Sequence, residues 1–145
     1  MSVERAHQVS PELLEALQRL LPQLSPGRQL PTTAELKELM AAHGSTLLLA
    51  RDEYGHIVGT LTLVVFRTTT ELRARIEDVD VDEGARGKGL GEQLVKEALR
   101  LAHERGARSV NLTSRPDREA ANRLYERIGF GQRPTNVYTF TLDST

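Results

Sequence analysis

The residues with the clearest chemical meaning lie between Glu77 and Gly91, in the run Glu-Asp-Val-Asp-Val-Asp-Glu-Gly-Ala-Arg-Gly-Lys-Gly-Leu-Gly. Carboxylates and valines alternate up to Val81, as a strand requires. A glycine-rich turn follows. Directly behind it Leu94, Val95, Ala98, Leu101 and Ala102 repeat on one helical face. A strand turning tightly into a helix aims several free backbone N–H groups, and the positive end of the helix dipole, at one point. Such a point binds phosphate. Gly87, Gly89 and Gly91 let the backbone approach an anion with no Cβ in the way, and Arg86 and Lys88 add charge. The plain alternative is a glycine-rich turn with nothing bound. Two phosphate loops fail on spacing. No Ser or Thr follows Lys88, as a nucleoside-triphosphate loop needs. The glycines recur at every second position, whereas a dinucleotide loop is Gly-x-Gly-x-x-Gly.

The carboxylates of the strand are a second candidate. Glu77, Asp78 and Asp80 each need a partner or a cavity if the strand is central. In a regular strand Glu77, Val79 and Val81 share one face, and Asp78 and Asp80 share the other. Such groups take a proton from an ammonium, attract a cation, or simply pair with Arg73 and Arg75. Tyr125, by position alone, reads as a buried helix tyrosine with a bonded hydroxyl. Ser114 either polarises a reacting group or, more simply, caps a helix. His7, His43, His56 and His103 are scattered without ligand spacing, so no metal site is expected. With no Cys there is no disulfide framework, thiolate metal site or cysteine nucleophile.

These residues need a scaffold. The chain has 145 residues, 39% hydrophobic and 27% charged, which suits one folded domain over residues 1–145. The net charge of -1 argues against a nucleic-acid partner, and the absence of Trp leaves few platforms for base stacking. No apolar run approaches the roughly 20 residues a bilayer span needs, and the N-terminal MSVERAHQ lacks a secretory pattern. The expectation is a cytoplasmic protein with no membrane partner. Val3 to His7 reads as a short strand. Ser10 with Pro11 starts a helix that runs to Pro22, and Thr32 with Glu35 forms a capping box for a second that stops near Gly44. Strands follow at 46–51, 56–66 and 73–81, then a helix at 92–105 and a strand at 109–113. Pro116 or Asp117 opens a last helix that Gly129 closes, and 137–142 reads as a final strand. The Asn111-Leu112-Thr113 sequon falls in a strand of a chain without a leader and is set aside. The order predicts an α/β (α+β) domain.

Two motifs in sequence resemble one family. Arg86-Gly87-Lys88-Gly89-Leu90-Gly91 is similar to the diphosphate loop of the GNAT superfamily of N-acetyltransferases, Arg/Gln-x-x-Gly-x-Gly/Ala. Leu124-Tyr125-Glu126-Arg127-Ile128-Gly129-Phe130 is similar to that family's Leu-Tyr-x-x-x-Gly-Phe signature. The resemblance is strongest over residues 73–142. It implies a mixed, mostly antiparallel sheet of six to seven strands flanked by about four helices, with acetyl-CoA as the acyl donor. It also implies site residues. The diphosphate rests on Arg86, Gly87, Lys88, Gly89, Leu90 and Gly91. Backbone groups of Val79 and Val81 pair with the pantetheine arm, and a backbone N–H near Val79 polarises the thioester carbonyl. Tyr125 protonates the departing thiolate. Glu77 resembles the family's base, with Asp78 and Asp80 as alternatives, and the family's strand carries a bulge there. One position departs from the pattern: Arg118 stands where many members have Asn, and Asn122 is its proposed substitute on the cofactor side.

The implied activity is acetyl transfer to a primary amine in a ternary complex. The acceptor is a small molecule or a protein lysine or N-terminus, and the architecture is compatible with a homodimer. The rival reading, of another class, is a non-catalytic acyl-CoA-binding sensor or interaction domain. Such a domain would keep the glycine loop and lose the acid and base, whereas Tyr125 and Glu77 are both present.

Overall fold

Local signals start the two N-terminal helices where the sequence places them. α1 (Pro11–Leu24) has Ser10 as N-cap, its Oγ accepting from the Leu13 N–H at 3.1 Å. α2 (Thr33–Ala41) carries the full capping box: the Glu35 N–H donates to Thr32 Oγ1 at 3.1 Å, and the Thr32 N–H donates to Glu35 Oε1 at 2.8 Å. α1 continues through Pro22, where an earlier stop is expected. Proline fits helical φ and forfeits one hydrogen bond. Gln23, the next residue, adds a side-chain bond to the helix backbone, donating through Nε2 to the Arg19 carbonyl at 3.1 Å.

The computed structural model describes residues 1–142. It divides into two units, Met1–Thr113 and a second beginning at Ser114. The first unit holds a five-stranded sheet in the order β1 (Ser2–Arg5), β2 (Ser45–Arg51), β3 (Ile57–Arg67), β4 (Leu72–Val81), β5 (Val110–Asn111). The first three pairings are antiparallel and the last is parallel. α3 (Leu90–Glu104) connects β4 to β5. Leu13, Ala16, Leu17 and Leu20 of α1 and Leu36 of α2 form a core with Leu47, Leu49 and Ile57 on one face of the sheet. Leu48, Ala50, Leu61 and Leu63 are buried on the other face, which α3 covers; Leu94 of α3 and Ala50 crowd Gly59 there. No helix among the described residues is long and apolar enough to cross a membrane.

The second unit contains α4 (Glu119–Ile128) and an extended segment behind it. α4 begins later than Pro116 or Asp117, because residues 115–118 form a hydrogen-bonded turn in which the Arg118 N–H donates to the Arg115 carbonyl at 3.1 Å. Pro116 suits the second position of such a turn. Residues 137–142 form no strand, so the sheet has five strands among the described residues rather than six to seven. The alternation of Tyr138, Phe140 and Leu142 has the period of a strand, but period alone supplies no ladder partner. These side chains are exposed, Tyr138 by 88%. β5 is likewise shorter than the expected 109–113, with only Val110 and Asn111 in register with Ala74 and Arg75 of β4.

Candidate active site

Among the described residues, the short β5 leaves β4 from residue 76 onward without a ladder partner on that side. Val79 and Val81, the residues expected to pair with an extended ligand, lie in this stretch and are half-buried. On its other side β4 pairs with β3, and here the register breaks: Thr62 faces Glu77 and Thr60 faces Asp80, so two β3 steps match three on β4. This is a β-bulge. Asp78 sits at its centre with φ +51°, the one non-glycine residue with positive φ among those described. Asp tolerates that region better than most residues, because its short side chain can bond locally.

The bulge corrects the alternation of a regular strand. Thr60 and Thr62 pair with Leu49 and Leu47, which lie on the α1 and α2 face. Their partners Asp80 and Glu77 therefore share that face, while Asp78 projects into solvent. Asp80 is 4% exposed, beside the buried Thr60. Glu77 is half-buried, and its Oε1 accepts from Arg75 Nε at 2.9 Å. Periodicity alone cannot place Asp80 beside Glu77. The signal available in the sequence was a cluster of carboxylates around one residue type that accepts a left-handed backbone.

Behind Val81, Asp82 starts a single tight turn over Glu83–Ala85, and the glycine loop comes next. Gly87 and Gly89 have φ of +81° and +80°, and a Cβ on either would meet no atom within 4 Å. Both positions thus need glycine for their backbone and face open space. Gly89 is the N-cap of α3, and no side chain caps that helix end. The N–H groups of Leu90 and Gly91 in its first turn are therefore left for an acceptor outside the helix. Arg86 points back: its Nε donates to the Val81 carbonyl at 3.1 Å and ties the loop to the end of β4. Lys88 lines a groove of about 540 Å³ with Glu12, Arg19, Asp52 and Asp82. An uncapped helix start, two open left-handed glycines and an unladdered strand edge fit a ligand that joins a diphosphate to an extended amide chain.

The second unit carries the other two candidates. Tyr125 is 7% exposed, and burial pushes its phenol above the ordinary value of 10.0, opposed by the charge of Arg118. Its ring meets Phe130 edge-on at 5.9 Å. Gly129, at φ 125°, ends α4 and turns the chain so that its own N–H and that of Phe130 both donate to the Tyr125 carbonyl, at 3.1 and 2.9 Å. The Tyr-x-x-x-Gly-Phe spacing is thus a helix stop that folds an aromatic ring back onto the tyrosine. Asn122 donates through Nδ2 to the Arg115 carbonyl at 3.0 Å and holds the turn before α4. Ser114 does not cap the helix, whose N-cap is Arg118; its Oγ is buried without a hydrogen-bond partner among the described residues. No group of three or more His, Asp or Glu suited to a metal occurs among the described residues.

Residues 11–130 match the model of the acetyltransferase (GNAT) family. The chain is 31% identical over 87 residues to a putative phosphinothricin acetyltransferase of Bacillus subtilis, covering 59% of this chain and 53% of that protein. The chain thus spans about half the length of that relative. It is also 31% identical over 122 residues to glucosamine 6-phosphate N-acetyltransferase 1 of Oryza sativa, covering 79% of this chain and 72% of the other. The solved structure of a putative acetyltransferase from Agrobacterium tumefaciens superposes with a TM-score of 0.85 at 29% identity, covering 97% of this chain and all of that one.

Proposed function

Because this chain belongs to the GNAT acetyltransferase family, we propose that it is an acetyl-CoA-dependent N-acetyltransferase acting on a primary amine by direct transfer. The observation that carries the reading is the glycine loop at the uncapped start of α3, beside the edge of β4 that lacks a partner. In this reading the backbone of residues 86–91 holds the diphosphate, and Val79 and Val81 take the pantetheine amides. Glu77 removes a proton from the substrate ammonium, so that the nitrogen lone pair can attack. The new bond is N–C, and the C–S bond breaks. Tyr125 gives its proton to the departing sulfur. Its burial supports this role, since a phenol held neutral keeps the proton until a stronger base appears. A backbone N–H near Val79 stabilises the oxyanion. Asp80, on the same sheet face as Glu77, is the alternative base.

The acceptor is proposed as a small amine or a protein amine. The relatives named for phosphinothricin and for glucosamine 6-phosphate both favour a small molecule. The cytoplasm is the proposed location. The exposed Val137, Tyr138, Phe140 and Leu142 support a homodimer, which light scattering on the purified protein tests. One observation favours the second reading, a non-catalytic acyl-CoA-binding module: the Glu77 carboxylate is already engaged by Arg75. A panel of amines assayed for thiol release from acetyl-CoA separates the two. Amine-dependent release supports the enzyme. CoA binding with no release for any amine supports the module.

A further inference from the structure

Two side chains of α1, one helical turn apart, grip the segment that leads into the glycine loop. Arg19 Nη1 donates to Asp82 Oδ2 at 2.6 Å, and its Nη2 donates to the Ile57 carbonyl at 3.0 Å. Gln23 Oε1 accepts from the Glu83 N–H at 3.0 Å. Asp82 in turn organises the tight turn behind it: its Oδ1 accepts from the Gly84 N–H at 3.3 Å, and its carbonyl accepts from the Ala85 N–H at 2.8 Å. Every residue from 82 to 85 is therefore tied, directly or through one neighbour, to α1. Arg86 opens the loop at the next position.

The pair is no ordinary surface bridge. The Arg19 and Asp82 side chains are 34% and 23% exposed, and the arginine is also anchored by the β3 carbonyl and by Glu15. Burial alone would raise the Asp82 carboxyl, but bonds from Gly84, Arg19 and Gln23 outweigh it and hold the group below its usual range. Left without Arg19, that carboxylate would be a partly buried negative charge a few residues before a loop that must accept an anion.

We infer that Arg19 is a positioning residue for the anion loop. It acts through Asp82 to fix residues 82–85, and so sets the direction of the N–H groups in the loop beyond them. The inference rests on the acetyl-CoA reading, and it makes a specific claim: Arg19 serves the diphosphate end of the donor and not the thioester end.

The test compares acetyl-CoA with S-acetylpantetheine, which keeps the thioester and lacks the diphosphate. Calorimetric Kd values for CoA, and kcat and KM with both donors, are measured for the wild type, Arg19→Met, Asp82→Asn and the double variant. Arg19→Met is expected to weaken CoA binding about tenfold, the size of one hydrogen bond to a charged group. The KM for acetyl-CoA rises with it, while kcat at saturation and turnover of S-acetylpantetheine stay near wild type. The double variant binds CoA no more weakly than Arg19→Met, because both changes cut one connection. Arg19→Lys keeps the charge without the two-pronged reach, gives a smaller shift, and replaces Arg19→Met if that variant does not fold. An unchanged Kd for CoA in Arg19→Met, an equal loss with both donors, or additive losses in the double variant would each overturn the inference while leaving the acetyl-CoA reading intact. A wild-type protein that binds no CoA would overturn both.

Discussion

Replacing Gly89 separates two reasons for a glycine that usually travel together. At φ +80° any L side chain is strained, by about 1–2 kcal/mol. Gly106, at φ +88° beyond the opposite end of α3, carries the same strain, and a Cβ there would meet only Leu72, at an ordinary 3.9 Å. Gly89→Val and Gly106→Val should therefore lose similar folding stability. The ligand response should differ. A Cβ on Gly89 meets no protein atom within 4 Å, so the space it enters is free for a bound anion. At CoA 100-fold above its Kd, the wild type should gain about 2.7 kcal/mol. For 145 residues that corresponds to a rise in Tm of roughly 9 °C. Gly106→Val should keep that rise and Gly89→Val should lose it. The assay is thermal unfolding followed by circular dichroism, with and without CoA. A Gly89→Val protein that keeps the full shift would refute the placement of the diphosphate on this loop.

Tyr125→Phe should lower kcat by roughly 10²–10⁴ with CoA binding retained, measured by steady-state kinetics and calorimetry; near-normal kcat would assign Tyr125 to packing. The same variant has a pH signature. The phenol is raised by burial in the folded state, so the unfolded chain ionises first, and stability is intact below about pH 10 and falls as pH climbs through the raised folded value. Tyr125→Phe should flatten that alkaline fall in denaturant titrations. Glu77→Gln should move the acidic limb of the kcat/KM profile to higher pH, with the loss shrinking where free amine is abundant, and Asp80→Asn should leave the limb in place. A raised KM at constant kcat in Glu77→Gln would instead mean that Glu77 only attracts the substrate. Asp78→Gly should be tolerated, whereas Asp78→Val should cost about 1–2 kcal/mol in chemical denaturation, because Val resists a φ of +51°.

Much of the scaffold was legible because its signals are local. Ser10 and Thr32 with Glu35 mark helix starts by bonds that span three residues, and both sets form as read. The glycine loop was legible for the same reason: positive φ at Gly87 and Gly89 is a property of a short stretch of chain. The features that the sequence hid depend on partners far along the chain. Gly44 looks like a helix stop, yet its φ is not positive, and the reason for glycine lies in β3: an added Cβ would overlap the Val65 carbonyl. Residues 137–142 have the composition and period of a strand but no ladder partner. Arg19 belongs to no sequence motif, and only the fold brings it to Asp82, across 63 positions of sequence.

The bulge in β4 shows how the candidate site depends on both kinds of information. Counting residues puts Glu77 and Asp80 on opposite faces, and in an unbroken strand only one of them could face α1 and α2. One residue with a left-handed backbone changes the parity, and both carboxylates then share a face while Asp78 turns to solvent. The same irregularity re-aims the backbone around Val79, the stretch whose N–H is proposed to meet the thioester oxygen. A single insertion in the ladder thus does two jobs that regular pairing forbids: it takes Asp78 and Val79 out of the β3 register and gathers acidic side chains on one side. That coupling explains why three carboxylates crowd four positions of a central strand. Asp78 sits at the bulge, and the bulge gives Glu77 and Asp80, the two proposed bases, a common face.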